Sequence, residues 1–155
     1  MRKIVKLVMA VAAVIVAVGC SKSETTSGSG YLDVTANNIK GTWCMESFDN
    51  GATLAEGSYY YITFNRADRT FVSYDNLESM GLRKRSGRFD IVTDGAAIIY
   101  GDYDFGGLGL SDWEHRYYVR NLTTDRMEWV ATKDESIVTV FVRAELPEWI
   151  PTDEE

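Results

Sequence analysis

The stretch Ile39-Lys40-Gly41-Thr42-Trp43-Cys44-Met45-Glu46-Ser47-Phe48 is the first in the chain to alternate as a β-strand does. Ile39, Gly41, Trp43, Met45 and Ser47 share one face, and Lys40, Thr42, Cys44 and Glu46 the other. Similar runs recur to the far end of the chain. Residues 58–65 put Tyr60, Ile62 and Phe64 in phase, and 69–74 follow after the turn Asn65-Arg66-Ala67-Asp68. Residues 86–92 carry Phe89 and Ile91, and Thr93-Asp94-Gly95 is a hairpin signal of the Asp-Gly kind. It leads into 96–100, where Ile98 and Tyr100 share a face. Residues 113–122 form the longest run, with Trp113, His115, Tyr117 and Val119 together; Thr123-Thr124-Asp125 then turns into 126–132, with Met127 and Trp129 in phase. Residues 136–143 close the set, with Phe141 and Arg143 on one face.

Eight strands with mostly short connections predict an antiparallel meander, and closing it into an up-and-down barrel removes the exposed edges. A two-sheet sandwich alternates in the same way, so the period of two does not separate them. No segment has the 3.6-residue period of a helix, and residues 75–82 have room for one turn at most. Gly41-x-Trp43 in a first strand, with Arg143 near the end of a last one, resembles the lipocalin family and its bacterial lipocalin-like relatives. The resemblance covers residues 39–144. It implies an all-β, eight-stranded antiparallel barrel in which the Trp packs under the open end and the Arg lies over its ring. Such a cation on an aromatic face contributes roughly 0.5–2 kcal/mol. The long helix that many full-length lipocalins carry after the barrel has no counterpart here; Leu146-Pro147-Glu148-Trp149-Ile150-Pro151 and an acidic tip stand in its place.

The N-terminus reads as an export signal. Arg2, Lys3 and Lys6 precede the apolar run 7–18, whose twelve residues suit a signal-peptide core. They fall short of the ~20 residues a helix needs to span a bilayer. Ala17-Val18-Gly19-Cys20 resembles the bacterial lipobox, whose Cys is acylated and becomes the first mature residue; Ala17 stands where that pattern usually has Leu. The chain then divides into a signal peptide (1–19), a lipidated Cys20 with a flexible tether (20–38), the barrel (39–146) and an acidic tail (147–155). Residues 21–38 are rich in Ser, Thr and Gly, and as a coil they extend about 23 Å root-mean-square. Ser21 after Cys20, rather than the Asp that often holds such proteins at the inner membrane, implies delivery to the outer membrane. The leader takes three basic residues and no acidic one, so the net charge falls from −7 to −10. That argues against nucleic acid and anionic membrane surfaces as direct partners.

Candidate chemistry is sparse. His115 is the only histidine, without companions at metal-ligand spacing, so no metal or other cofactor is expected. In residues 100–112, Asp102 and Asp104 have calcium-loop spacing, but Gly106 and Trp113 occupy positions that need oxygen ligands. Four glycines with Phe105, Leu108 and Leu110 read instead as a mobile apolar flap over one mouth. Leu82-Arg83-Lys84-Arg85 reads as a solvated basic turn or a contact for an anionic partner. Cys44 points away from the interior if Trp43 points in, a free thiol either packed under a loop or left to pair between chains. No phosphate loop, nucleophile elbow or dinucleotide fingerprint is present, so the chain reads as a non-enzyme. Phase matching puts Tyr60, Phe64, Phe71, Phe89, Tyr100, His115, Tyr117, Met127 and Trp129 inside. A barrel of eight strands is either filled by side chains or holds one small ligand. The first reading is a lipid-anchored binder of a small apolar or amphipathic molecule, contacted by Tyr60, Tyr100, His115, Tyr117 and Trp129. The second is a filled barrel docking to another envelope protein.

Overall fold

A computed structural model describes residues 30–79 and 81–152. The signal peptide, Cys20 and the first part of the tether lie outside the described residues. Nine strands follow in order: β1 (Gly41–Ser47), β2 (Tyr60–Asn65), β3 (Thr70–Asp75), β4 (Arg83–Asp94), β5 (Ala96–Asp104), β6 (Leu110–Asp112), β7 (Tyr117–Arg120), β8 (Arg126–Ala131) and β9 (Val138–Arg143). They form one sheet in the order β4-β3-β2-β1-β9-β8-β7-β5-β6, and β4 also pairs with β5. That pairing closes the ring. The short β6 lies on the outer half of β5 and β7 on its inner half, so the two make a single wall segment. The molecule is therefore a closed eight-stranded antiparallel barrel, not a sandwich.

Alternation places the core. Trp43, Ile62, Phe64, Phe71, Phe89, Ile99, Val119, Met127, Trp129 and Phe141 fill the interior from successive strands. Burying an aliphatic or aromatic side chain contributes about 1.5–3 kcal/mol, so this cluster dominates the stability. Phe64 meets Phe89 edge-on with ring centres 4.9 Å apart, and Trp129 lies 4.9 Å from Phe141. These contacts fill the middle of the lumen.

The end carrying the Gly-x-Trp motif is plugged. A single helical turn, α1 (Ala36–Ile39), is capped by the Thr35 side chain, which accepts from the Asn38 N–H. Ala36 and Ile39 enter the core from it, and the Leu32 N–H donates to the Leu122 carbonyl at 2.8 Å. Residues 32–38 are thus part of the barrel rather than the end of a free tether. The reason is the apolar spacing of Leu32, Val34, Ala36 and Ile39, masked in the sequence by polar neighbours. The opposite terminus behaves likewise: Ile150 is buried and Trp149 meets Tyr59 edge-on at 4.9 Å, so the tail packs before its acidic tip.

The run 113–122 departs most from expectation. The longest strand is β4, with 12 residues; residues 113–116 leave the sheet between β6 and β7. Asp112 Oδ1 accepts the Glu114 N–H at 2.7 Å, and Glu114 adopts a φ of 64°. This turn folds the Trp113 side chain into the barrel, while its backbone N–H donates to the Gly101 carbonyl at 2.9 Å. Gly101 makes room for it: a Cβ there would lie 2.4 Å from the Arg88 carbonyl oxygen and 2.7 Å from the Trp113 ring. Gly101→Ala should therefore destabilise the barrel by about 1–3 kcal/mol, the usual cost of overpacking, as read by urea unfolding.

Candidate functional site

Antiparallel register sorts the side chains between the two ends. Trp43 pairs with Arg143 at the plugged end. The Arg143 guanidinium carbon sits 3.7 Å from the centre of the Trp43 ring. Arg143 also donates to the carbonyls of Thr124 (3.1 Å), Asn38 (3.1 Å) and Lys40, and Trp43 Nε1 donates to the Ile39 carbonyl at 2.7 Å. Gly41 is needed beside them, because its φ is 93° and a Cβ would come within 3.2 Å of Arg143 Nη1. Burial lowers the Arg143 pKa from its ordinary value. Trp43 thus lies at the end opposite the mouth rather than under it, because β1 starts at the plug.

At the mouth, Tyr60, Tyr103, Trp113, His115, Tyr117 and Trp129 enclose a cleft of about 80 Å³. Trp129 stacks between Tyr117 (5.1 Å) and Trp113 (5.8 Å), both at 30°. Tyr103, Trp113 and His115 also border a wider recess of about 700 Å³, reached by Arg83, Arg85 and Phe105. The same end of the barrel holds a charge cluster. Asp75, wholly buried, accepts from Arg83 Nη2 at 2.8 Å and Arg85 Nη2 at 3.1 Å. Arg83 also pairs with Glu78 at the surface, and Arg85 lies 4.9 Å over the Tyr103 ring. Burial raises the pKa of Tyr60, Tyr103 and Tyr117 above the ordinary tyrosine value of 10.0. Raised folded-state pKa values mean that the stability contributed by these neutral phenols is complete below that value and is lost as pH climbs past it.

Residues 39–129 match the model of a lipocalin-like domain. The chain belongs to the lipocalin-like family. A solved structure that aligns with it, a lipocalin-like protein from Bacteroides uniformis ATCC 8492, is 15% identical, with a TM-score of 0.48 over 69% of this chain and 99% of that one. Among curated proteins nothing matches.

In this lipocalin-like barrel the expected ligand contacts divide. Tyr60, Tyr117 and Trp129 line the cleft together. His115 stands exposed on its rim rather than inside, because the turn at Glu114 interrupts the alternation. Tyr100 faces outward, beneath Arg116 at 4.8 Å. Its register explains why: Phe89 pairs with Gly101, so Ile99, Gly101 and Tyr103 take the interior and Tyr100 the outside. Ile98 is displaced with it. The flap is a hairpin, with Asp104 opposite Leu110 and the turn Gly106–Leu108 at its tip. The basic run is not a solvated turn, since Arg83 and Arg85 reach inward to Asp75. Tyr103, Trp113, Arg85 and Asp75 were missed as site residues. Counting back by twos from Phe89 through Gly87 puts Arg85 and Arg83 on the inner face, a signal present in the sequence. Cys44 is free and half-buried on the outer face, its pKa raised by burial beside Tyr61.

Proposed function

We propose that this is a lipid-anchored envelope protein whose lipocalin-like barrel binds a small amphipathic molecule at its mouth. The observation that carries the reading is the aromatic cleft of about 80 Å³ opening beside a recess of about 700 Å³. Sites that swallow a whole drug-sized ligand measure about 300–1,000 Å³. The cleft is below that range and the recess within it, so a head group enters the cleft while the body stays in the recess. Flat rings with a few polar handles suit such a ligand. Tryptophan fluorescence tests it: an amphipathic aromatic or short fatty ligand should give a saturable change through Trp113 and Trp129. Stabilisation should match, about 2.7 kcal/mol at a hundredfold excess over Kd. Trp129→Phe should remove much of the signal and leave the fold intact. A broad panel of apolar and amphipathic ligands with neither signal nor stabilisation would end this reading.

Anchoring at Cys20 and outer-membrane delivery rest on the leader, on the lipobox-like Ala17-Val18-Gly19-Cys20 and on Ser21. Each buried acyl CH₂ contributes about 0.8 kcal/mol to membrane attachment. Cys20→Ala should leave an unprocessed, unlipidated precursor in cell fractionation; a mature-sized, membrane-bound variant would refute the anchor. A second reading, a docking module for another envelope protein, is favoured by the filled lumen and by the exposed Phe105, Leu108 and Leu110 on the β5–β6 hairpin. Loss of a co-purifying envelope protein on Leu108→Ser, with no ligand response in the unaltered chain, would select it.

A further inference from the structure

Three buried N–H donors at the mouth have no acceptor among the described residues: Arg85 Nε, Trp113 Nε1 and Trp129 Nε1. Both indoles belong to side chains more than nine-tenths buried, and both rings wall the cleft. Leaving such groups unpaired is costly, and native interiors rarely do it. All three are donors. Arg85 spends Nη2 on Asp75, packs its guanidinium over Tyr103 and borders the recess that shares Tyr103 and Trp113 with the cleft. The neighbouring phenols of Tyr60, Tyr103 and Tyr117 can each donate as well. A ligand that brings its own donors would compete with this set, whereas one that brings only acceptors would complete it.

We infer that the cleft is an acceptor site for the carboxylate of a small aromatic acid, held by Trp113 Nε1, Trp129 Nε1 and Arg85 Nε. This rests on the mouth-binding reading and adds the ligand's class to it. The carboxylate is acceptor-only and small: a water's share of liquid volume is about 30 Å³, so a space of this size admits a few heavy atoms and no more. The aromatic ring then lies toward Tyr103, Trp113 and His115, where the cleft meets the recess. Aromatic walls favour a flat body there, through offset or edge contacts.

The test is calorimetric titration of the full chain, in mild detergent, with three probes of one shape: 2-naphthoate, 2-naphthylmethylamine and naphthalene. Naphthoate should bind at least about tenfold more tightly than the amine, as expected when hydrogen bonds to a charged acceptor are gained. Trp113→Phe and Trp129→Phe keep one aromatic ring and remove the N–H with the rest of the indole. Each should weaken naphthoate several-fold more than it weakens naphthalene, because the lost ring area lowers Tm and the apolar contact of both probes while the lost N–H affects only the carboxylate. Equal binding of naphthoate and the amine would overturn the acceptor site while leaving mouth binding in place. Binding of none of the three, with no response to any apolar ligand, would overturn mouth binding and the acceptor site with it. The comparison of probes on the unaltered chain needs no variant, so a variant that failed to fold would leave the test standing.

Discussion

Trp43→Ala should lower the unfolding free energy by about 3–5 kcal/mol, the cost of truncating a buried aromatic. Trp43 has no exposed surface. Arg143 is fixed by three carbonyls drawn from both sides of the plug, and α1 is tied to β1 by the Trp43 indole itself. Arg143→Ala should cost less, because its loss leaves acceptors that water can reach. The two changes share one contact, the guanidinium on the ring face at 3.7 Å. A double-mutant cycle should therefore return a coupling of about 0.5–2 kcal/mol. Arg143→Lys should keep the charge and still lose most of that coupling, since an ammonium has no planar fork to spread over both the ring and the carbonyls. Chemical denaturation of the four-member cycle measures this. Losses that add to within about 0.3–0.5 kcal/mol would mean the ring and the guanidinium do not act as a unit.

That end of the barrel was legible because its signals are local and periodic. Alternation in residues 39–48 and 136–143 sets the faces of β1 and β9, and Gly41, Trp43 and Arg143 are distinctive together. The mouth was less so, for three separate reasons. Trp113 and His115 sit on either side of a residue with positive φ, which an alternating pattern cannot announce when that residue is Glu114. Tyr100 was assigned by the short apolar run before it, whereas the register is set by the pairing of Phe89 with Gly101, a non-local fact. Arg83 and Arg85 look like surface charges until their partner is known, and Asp75 precedes them by a loop that hides the relation. At the plug, Leu32, Val34 and Ala36 were diluted by polar neighbours, so a short buried segment passed for a tether. Local chemistry located the walls; long-range pairing decided which residues meet at the mouth.

Asp75 is where that long-range pairing should show most directly. Its carboxylate has no exposed surface; besides the two arginines it accepts the Leu77 N–H at 3.2 Å, and Arg83 Nε donates to it at 3.3 Å. Asp75→Ala strips the charge from the centre of the cluster and leaves two cations facing the interior. Breaking a buried pair by removing one partner costs about 3–5 kcal/mol. The lower end is expected here, because the Arg83 and Arg85 side chains retain 26% and 21% exposure and can turn part-way to water. Asp75→Asn keeps the shape and one acceptor, so it should cost less than the alanine. Replacing all three residues with apolar ones of similar size should recover most of the loss, since a buried ion cluster is often matched by good packing. Thermal and urea unfolding of the single and triple variants separate the two causes. A triple variant as unstable as Asp75→Ala would assign the loss to shape rather than charge. If instead the triple variant folds well but ligand titration at the mouth fails, the charges of the cluster serve the site more than the fold.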